Sequence, residues 1–207
     1  LALLQANPGV DPYVPRAGSV LTIPLQTLLP DAPREGLVLN IAELRLYYYP
    51  PGQNSVTVYP IGIGQLGGDT LTPTMVTTVS DKRANIRARY KAMGIDLPAV
   101  VPAGPNNPMG HHAIRLAAYG GVYLLHGTNA DFGIGMRVSS GCIRLRDADI
   151  KSLYNKITPG TRVNIINEPI KVSVEPNGTR LVEVHQPLSE HINDDPQTLP
   201  IVLNAGM

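Results

Sequence analysis

Residues 36–59 read GLVLNIAELRLYYYPPGQNSVTVY, and this stretch decides the fold class. Apolar side chains alternate over residues 37–41, an extended pattern resumes over 43–49, and residues 56–59 follow a Pro-Pro-Gly turn. This pattern predicts three strands joined by tight turns. The chain of 207 residues also carries 20 prolines and 20 glycines and no tryptophan. Because such a composition favours turns and short extended elements, we expect a mainly β protein with few helices.

Further strands are predicted on the C-terminal side of this stretch. β-Branched residues dominate residues 74–80, and short apolar segments recur at 113–116 and 161–166. Four prolines and three glycines interrupt residues 84–110, so we predict a long loop there rather than a regular element. Since the predicted strands are distant in sequence, the sheet must join separated segments.

One helix is predicted in the last third of the chain. Asp147 can cap its N-terminus. The apolar residues that follow have the spacing i, i+3, i+4, i+7 of one helix face, and they are Ile150, Leu153, Tyr154 and Ile157.

The two ends of the chain differ from its middle. Residues 1–24 run from an Asn-Pro-Gly turn to a closing Leu-Thr-Ile-Pro and resemble the second half of a LysM peptidoglycan-binding repeat; a linker strand is the alternative. Residues 171–175 and 179–185 are predicted to form a hairpin across an Asn-Gly turn. We therefore divide the chain into a partial LysM-like segment (1–24), a linker (25–35), a central domain (36–167) and a C-terminal accessory subdomain (168–207).

Charge and hydropathy exclude several classes of partner. Lysine plus arginine (17) nearly balance aspartate plus glutamate (16), so we expect no nucleic-acid partner and no anionic membrane surface. No apolar run reaches membrane-spanning length, and no transmembrane segment is predicted. Basic residues at 83, 87, 89 and 91 could face a carboxylate-bearing substrate, but we favour a solvated surface.

Cys142 is the only cysteine, which excludes an internal disulfide. Gly141 before it lets a substrate approach the sulfur closely. His126, sixteen residues upstream, shares one face of a predicted strand with Val122 and Leu124. A histidine held at the edge of the core could take the proton of a neighbouring thiol. The result would be a thiolate and imidazolium pair that is reactive near neutral pH.

The residues around Cys142 indicate the rest of a candidate site. The amides of Gly141 and Cys142 could bind an oxyanion that forms on an attacked carbonyl. Ser139 and Ser140 offer hydroxyl groups nearby. Arg144 points to the same face as Cys142 if the segment is extended, so it could bind a substrate carboxylate or brace the loop.

Each of these residues has a structural alternative. A single buried cysteine is usually an inert small hydrophobic residue, and a lone histidine is usually a core residue with satisfied hydrogen bonds. His111 and His112 are adjacent, so on a strand they point to opposite faces, and no further ligands have the spacing of a metal site. We therefore predict no metal. His185 and His191 are predicted to lie at the surface.

Two spaced segments carry a resemblance to a known family. His126-Gly127-Thr128, followed by Ser139-Ser140-Gly141-Cys142-Ile143-Arg144-Leu145, resembles the signature of the L,D-transpeptidases, also called the YkuD domain family. The resemblance covers residues 36–167. It implies mixed β-sheets with the cysteine in a groove, one prominent helix after the cysteine and a C-terminal hairpin extension. It also implies an enzyme that acts on peptidoglycan stem peptides without a cofactor.

The resemblance also implies roles for the residues. Cys142 would attack the carbonyl between diaminopimelate and the terminal D-alanine of a tetrapeptide stem, and D-alanine would leave. His126 would be the base, oriented by the carbonyl of Gly127, and members are typically inhibited by carbapenems that acylate the cysteine. The residues expected to contact substrate are Thr128, Ser139, Ser140 and Arg144.

An amine must resolve the thioester. In this family the acceptor is either another stem's diaminopimelate or the lysine of an outer-membrane lipoprotein. The order of segments in this chain, a partial LysM-like segment, a catalytic domain and a C-terminal extension, resembles that of the Gram-negative periplasmic members that anchor Braun-type lipoprotein. We therefore expect lipoprotein attachment in the periplasm. The alternatives are 3-3 cross-linking of peptidoglycan, L,D-carboxypeptidase activity and a noncatalytic wall-binding module.

One position departs from the family pattern. Many members have histidine where this chain has Ser140, which leaves His126 as the sole base in the motif. A thiolate at Cys142 without a partner cysteine should also oxidise to sulfenic acid in an oxidising compartment. A periplasmic thiol reductase is therefore an expected partner.

Overall fold

The computed structural model describes residues 3, 6, 7, 9–11, 14–23, 27–65, 71–84, 88–89, 100–104 and 106–185. The chain divides into two compact units. The first comprises Leu1–Asp31 with Ile170–Val184, and the second comprises Ala32–Pro169 with His185–Met207. The first unit thus groups the N-terminal residues with the hairpin, which the sequence assigns to a separate subdomain.

The described strands and helix follow one another in this order along the chain: β1 (Gly36–Asn40), β2 (Arg45–Tyr49), β3 (Thr57–Pro60), β4 (Ile63–Gly64), β5 (Met75–Ala84), β6 (Ala88–Arg89), β7 (Val100–Val101), β8 (His112–Leu116), β9 (Leu124–His126), β10 (Arg137–Ser139), β11 (Ile143–Arg144), α1 (Asp147–Lys156), β12 (Arg162–Ile166), β13 (Ile170–Val174) and β14 (Arg180–Val184). Short 3-10 turns cover Ala118–Gly121 and Asp131–Gly133.

The second unit is built around an eight-stranded sheet with the order β11-β9-β8-β5-β12-β1-β2-β3. Two of its pairs are parallel, β12 with β1 and β11 with β9, and the others are antiparallel. β4 and β10 form a small parallel sheet beside it. The prediction of a mainly β fold with mixed sheets and one prominent helix is confirmed.

The stretch that decides the fold class forms β1, β2 and β3, as predicted. Leu37, Leu39 and Leu46 are fully buried in the core. Val38 and Tyr47, which point to the opposite face, are equally buried. β1 and β2 are therefore covered on both faces, which explains why apolar and aromatic residues fill almost every position.

Helix α1 buries the apolar face that its spacing predicts, with Ile150 and Leu153 inside the core. The predicted cap is wrong. Arg146 occupies the N-cap position without a side-chain hydrogen bond to the helix, and Asp147 is the first helical residue. The carboxylate of Asp147 instead accepts the backbone N–H of His111, because that loop packs against the helix start.

The strand that leads to His126 is shorter than predicted. β9 contains only Leu124–His126, and 64% of the surface of Val122 is exposed. Leu125, on the other face of the strand, is the fully buried residue. The expected buried row of Val122 and Leu124 is therefore wrong, although His126 itself is buried.

The first unit contains the predicted hairpin of β13 and β14. Lys171 Nζ donates to the carbonyl of Leu28 at 2.6 Å, and the N–H of Leu28 donates to Glu183 Oε2 at 2.8 Å. Lys171 and Glu183 also pair with each other at 3.1 Å. One ion pair across the hairpin therefore holds both backbone groups of Leu28.

The LysM-like segment is held by one asparagine side chain. Asn7 Nδ2 donates to the carbonyl of Thr22, and Asn7 Oδ1 accepts the N–H of Thr22. Residues 20–23 form no strand, and Val20 is almost fully exposed. The LysM assignment stays a prediction.

A buried polar cluster around Glu43 contradicts the surface position predicted for His185. Only 3% of His185 is exposed, and its Nε2 lies 3.6 Å from Glu43 Oε2. Glu43 also accepts hydrogen bonds from Asn40, Arg45 and Tyr47. Burial, with the neighbouring Glu43 carboxylate, raises the pKa of Tyr47 far above its ordinary value. The imidazole of His185 can be buried because the Glu43 carboxylate beside it offers a polar partner inside the protein.

The basic group near residue 83 is only partly described. Arg83 is exposed and pairs with Asp81 at 2.7 Å, which agrees with the predicted solvated surface. Arg87 and Lys91 lie outside the described residues, as do the side chain of Arg89, His191 and the tail from residue 186.

Candidate active site

Two short parallel strands bring the two sequence segments together. In β9 and β11, Ile143 lies beside Leu125, and Arg144 lies beside His126. Paired residues on neighbouring strands point to the same face of a sheet, and successive residues alternate between faces. Ile143 and Leu125 therefore share the face turned to the core, where both are fully buried. By the same alternation, Cys142 lies on the face of Arg144 and His126.

His126 is fixed by the residue that follows it. Its Nδ1 lies 2.5 Å from the carbonyl oxygen of Gly127. A carbonyl oxygen only accepts, so Nδ1 carries the proton and Nε2 has the free lone pair. The pKa of His126 is lowered to about 4, mainly by burial. The Gly127 hydrogen bond opposes this shift by a smaller amount, and the charge of Arg144 contributes to it. His126 is therefore a neutral base held in one tautomer.

Cys142 is half-buried, and its Sγ lies 3.8 Å from the carbonyl oxygen of Val122. Burial raises the pKa of the Cys142 thiol. A backbone hydrogen bond from Leu124 and the charge of Arg144 lower this pKa by less. Both shifts favour a neutral thiol and a neutral imidazole over the predicted thiolate and imidazolium. The physical reason is that burial destabilises both charged forms.

Arg144 is anchored through its backbone. Its N–H donates to the carbonyl of Gly62, and its carbonyl accepts the N–H of Gly62. The Nε of its side chain is buried and has no hydrogen-bond partner among the residues described. The charge of this guanidinium acts on both Cys142 and His126. Its predicted contact with a substrate carboxylate stays a prediction.

The structure separates the three predicted hydroxyl contacts. Ser139 is buried, and its Oγ donates to the carbonyl of Cys142 at 2.5 Å. Thr128 is also buried, and its Oγ1 accepts the N–H of Ala130 at 3.0 Å. Both hydroxyls are enclosed and hold their own loops, and their substrate contact stays a prediction. Ser140 is exposed, so its substrate contact stays a prediction.

Asp147, which the sequence presents only as a helix cap, packs against the loop of His126. Its Oδ1 accepts the N–H of His111 at 2.9 Å, and its Oδ2 lies 2.8 Å from His111 Nδ1. A Cβ added to Gly127 or to Gly110 would lie 2.6 or 2.5 Å from Asp147 Oδ1. An alanine at either position would therefore displace the Asp147 carboxylate, and at Gly110 it would also crowd the backbone of Gly127. No local sequence signal links this carboxylate to residues 20 and 37 positions earlier.

Thr72 is a second residue that sequence reasoning missed. It is buried, and its Oγ1 accepts the N–H of Gly64 and donates to the carbonyl of Gly141, both at 2.9 Å. It therefore joins the end of β4 to the backbone next to Cys142.

His111 and His112 diverge, as expected for neighbours on extended backbone. His111 pairs with Asp147, whereas the ring of His112 packs against Tyr154 with 4.9 Å between ring centroids. The two imidazoles do not form a joint ligand pair.

The comparisons with known proteins agree with this arrangement. Residues 34–165 match the L,D-transpeptidase catalytic domain, and residues 169–207 match the L,D-transpeptidase C-terminal domain. Over 215 residues the chain is 86% identical to a protein described as "Probable L,D-transpeptidase YcfS" from Escherichia coli strain K12, covering 100% of this chain and 67% of that protein.

The chain belongs to the L,D-transpeptidase family. A second relative of this family, "Probable L,D-transpeptidase YbiS" from the same strain, is 52% identical over 216 residues and covers 99% of this chain and 69% of its own. The family predicted from the two motifs is confirmed. L,D-Transpeptidases are transferases that act on peptidoglycan.

A solved L,D-transpeptidase structure shows the same fold. The Ldtfm-avibactam carbamoyl enzyme superposes with a TM-score of 0.50 at 20% identity, over 65% of this chain and 49% of the other. In the described part of this L,D-transpeptidase, no helix combines the length and the apolar character that a membrane span requires.

Proposed function

We propose that this L,D-transpeptidase cleaves the bond between diaminopimelate and D-alanine in peptidoglycan tetrapeptide stems, and that it does so through a thioester on Cys142. The observation that carries this proposal is that Cys142 directly precedes β11, where strand alternation places it on the face of Arg144 and His126, and that the charge of Arg144 acts on both residues. Membership of the family supports the choice of peptidoglycan as substrate class.

The first half-reaction starts from the neutral pair. As Cys142 Sγ attacks the carbonyl carbon, its proton passes to His126 Nε2, and the carbonyl oxygen becomes an oxyanion near the amides of Gly141 and Cys142. The Gly127 carbonyl stabilises the imidazolium through Nδ1–H. When the intermediate collapses, the C–N bond breaks, the imidazolium protonates the leaving nitrogen, and D-alanine departs. The acyl group stays on sulfur.

The second half-reaction uses the same two groups, Cys142 and His126, with a proton that comes from the acceptor amine. A neutral acceptor amine attacks the thioester carbon and gives up a proton to His126. The C–S bond then breaks, and the imidazolium returns its proton to the thiolate of Cys142. The products are a new amide and the resting enzyme.

The acceptor and the compartment belong to the same proposal. We assign the acceptor as the C-terminal lysine of a Braun-type lipoprotein, and the compartment as the periplasm, on the resemblance in domain order to the members that anchor this lipoprotein. A thiol reductase is the accompanying partner. Because the raised pKa keeps Cys142 protonated and oxidation follows thiolate character, we expect slow oxidation of this thiol.

The test is product analysis with tetrapeptide muropeptides. We expect the native protein to release D-alanine and, with the lipoprotein present, to form a lysine-linked adduct detected by mass spectrometry. Cys142→Ala should abolish both products and leave the fold intact by circular dichroism, since only one side chain on a half-buried loop changes. Continued release of D-alanine by this variant would refute the thioester.

The same mixture separates the alternatives. An adduct only with a second stem would indicate 3-3 cross-linking. Release of D-alanine without any amide product, even when an amine is added, would indicate an L,D-carboxypeptidase. Binding to sacculi without any release of D-alanine by the native protein would indicate a noncatalytic module.

A further inference from the structure

The peptide bond between Gly141 and Cys142 is held from one side by Thr72. The Oγ1 of this buried residue accepts the N–H of Gly64 at 2.9 Å and lies 2.9 Å from the carbonyl oxygen of Gly141. A hydroxyl group has one proton, and the carbonyl oxygen can only accept it. The proton of Thr72 is therefore committed to the Gly141 carbonyl.

This hydrogen bond has a consequence for the other end of the same peptide group. A trans peptide is planar, and its C=O and N–H point in opposite directions. Holding the Gly141 carbonyl toward Thr72 therefore directs the N–H of Cys142 away from Thr72. Gly141 has a φ of 97°, which L side chains rarely adopt, so the orientation also depends on glycine at this position.

The next peptide group is held in a similar way. Ser139 Oγ donates to the carbonyl of Cys142 at 2.5 Å, and the carbonyl of Ser139 accepts the N–H of Gln65 at 2.9 Å. Cys142 thus lies between two peptide groups whose carbonyl oxygens accept from side-chain hydroxyls. Each hydroxyl therefore fixes one peptide plane next to the nucleophile.

We propose that Thr72 is a positioning residue for the oxyanion site, which aims the N–H of Cys142 at the oxygen of the attacked carbonyl. The inference rests on the proposed function, since an oxyanion forms only if Cys142 attacks a carbonyl carbon. Thr72 acts through the backbone of Gly141. The competing interpretation is that Thr72 only stabilises the contact between β4 and the segment of Gly141, with no effect on the reaction.

Two reactions of the same sulfur distinguish these interpretations. Acylation by a carbapenem passes through a tetrahedral oxyanion, whereas alkylation by iodoacetamide displaces iodide and forms none. Removing an oxyanion donor slows acyl transfer by about 10²- to 10³-fold, so misdirecting one in Thr72→Val should slow acylation by about 10- to 100-fold. Alkylation at the same pH should be unchanged.

Two further variants serve as controls. Thr72→Ser keeps the hydroxyl and should restore acylation. Thr161→Val removes a hydroxyl that donates to the Thr158 carbonyl in the turn before β12, and it should change neither reaction. Thermal unfolding establishes that each variant is folded. If Thr72→Val does not fold, Thr72→Ala removes the hydroxyl with less bulk and gives the same comparison.

Several outcomes would overturn the inference. Unchanged acylation in the hydroxyl-free variant would do so, as would an equal loss of acylation and alkylation that serine does not restore. Failure of the proposed function has a different signature, because the native protein would then release no D-alanine and form no carbapenem adduct at Cys142.

Discussion

At the scale of single residues, the exclusion of water sets the chemistry of Cys142 and His126. Burial destabilises the imidazolium more than the Gly127 carbonyl stabilises it, which places the pKa of His126 at about 4. Burial also raises the pKa of the thiol, and the nearby charge of Arg144 does not reverse this. The neutral forms are therefore favoured near neutral pH, and we expect the proton to leave the sulfur as it attacks a substrate carbonyl.

This resting state predicts how Cys142 reacts with iodoacetamide. We expect the rate of alkylation to rise continuously between about pH 5 and about pH 10, without a plateau near neutrality, because only the thiolate reacts and its pKa is raised. Mass spectrometry of the adduct measures the rate. His126→Gln should show nearly the same profile. A neutral-pH plateau in the native protein that this variant lacks would show a preformed ion pair instead.

At the scale of elements, the first turn of helix α1 positions the loop that follows β9. The carboxylate of Asp147 packs between Gly110 and Gly127 while it binds both the N–H and the ring of His111. The N–H of Gly127 also donates to the carbonyl of His112 at 3.1 Å. The carbonyl that orients His126 is therefore held by a helix and a strand together.

Two glycine variants isolate this packing. Gly110→Ala and Gly52→Ala both place alanine at a left-handed φ, 63° and 70°, so each should lose about 1–2 kcal/mol. Only Gly110 is crowded, with Asp147 Oδ1 at 2.5 Å and Gly127 Cα at 2.9 Å from the added Cβ, while Gly52 has no atom within 4 Å. We expect Gly110→Ala to lose about 1–3 kcal/mol more.

Urea unfolding measures this difference in the free energy of unfolding. Gly110→Ala should also slow carbapenem acylation, because displacement of Gly127 moves the carbonyl that orients His126, whereas Gly52→Ala should not. Equal losses of stability in the two variants would contradict the packing argument.

At the scale of the whole molecule, the site depends on pairings between distant segments. β9 pairs with β8, β8 with β5, and β5 with β12, which itself pairs with β1 from the start of the unit. His126 is buried only when these long-range pairings exist. Its protonation is therefore linked to folding of the second unit.

The stability of the protein should consequently fall as the pH falls from about 6.5 through about 4. The pKa of His126 is lower in the folded state, about 4, than the ordinary value of 6.5, so the unfolded chain binds a proton that the folded chain does not. The contribution of His126 to the free energy of unfolding is complete above pH 6.5. It is lost on acidification, and the loss is about 3 kcal/mol at most. Urea unfolding of the native protein and of His126→Gln across this range isolates it. Parallel curves for the two proteins would contradict it.

Features that depend on local pattern could be predicted from the sequence. Alternation over residues 37–41 and 43–49 predicts β1 and β2, the spacing from Ile150 to Ile157 predicts α1, and the Asn-Gly turn predicts the hairpin. The two spaced motifs identify the family. The sequence does not predict that Val122 is exposed or that His185 is buried, because exposure depends on neighbours from other parts of the chain.

Local periodicity and residue identity at fixed spacing are enough to predict β1, β2, helix α1, the C-terminal hairpin and membership of the L,D-transpeptidase family. The tertiary structure sets the burial that disfavours the charged forms of Cys142 and His126. It also encloses Ser139 and Thr128 and places Thr72 against the peptide before the nucleophile. Desolvation and hydrogen-bond partners are set by residues far away along the chain, and folding alone brings those residues together.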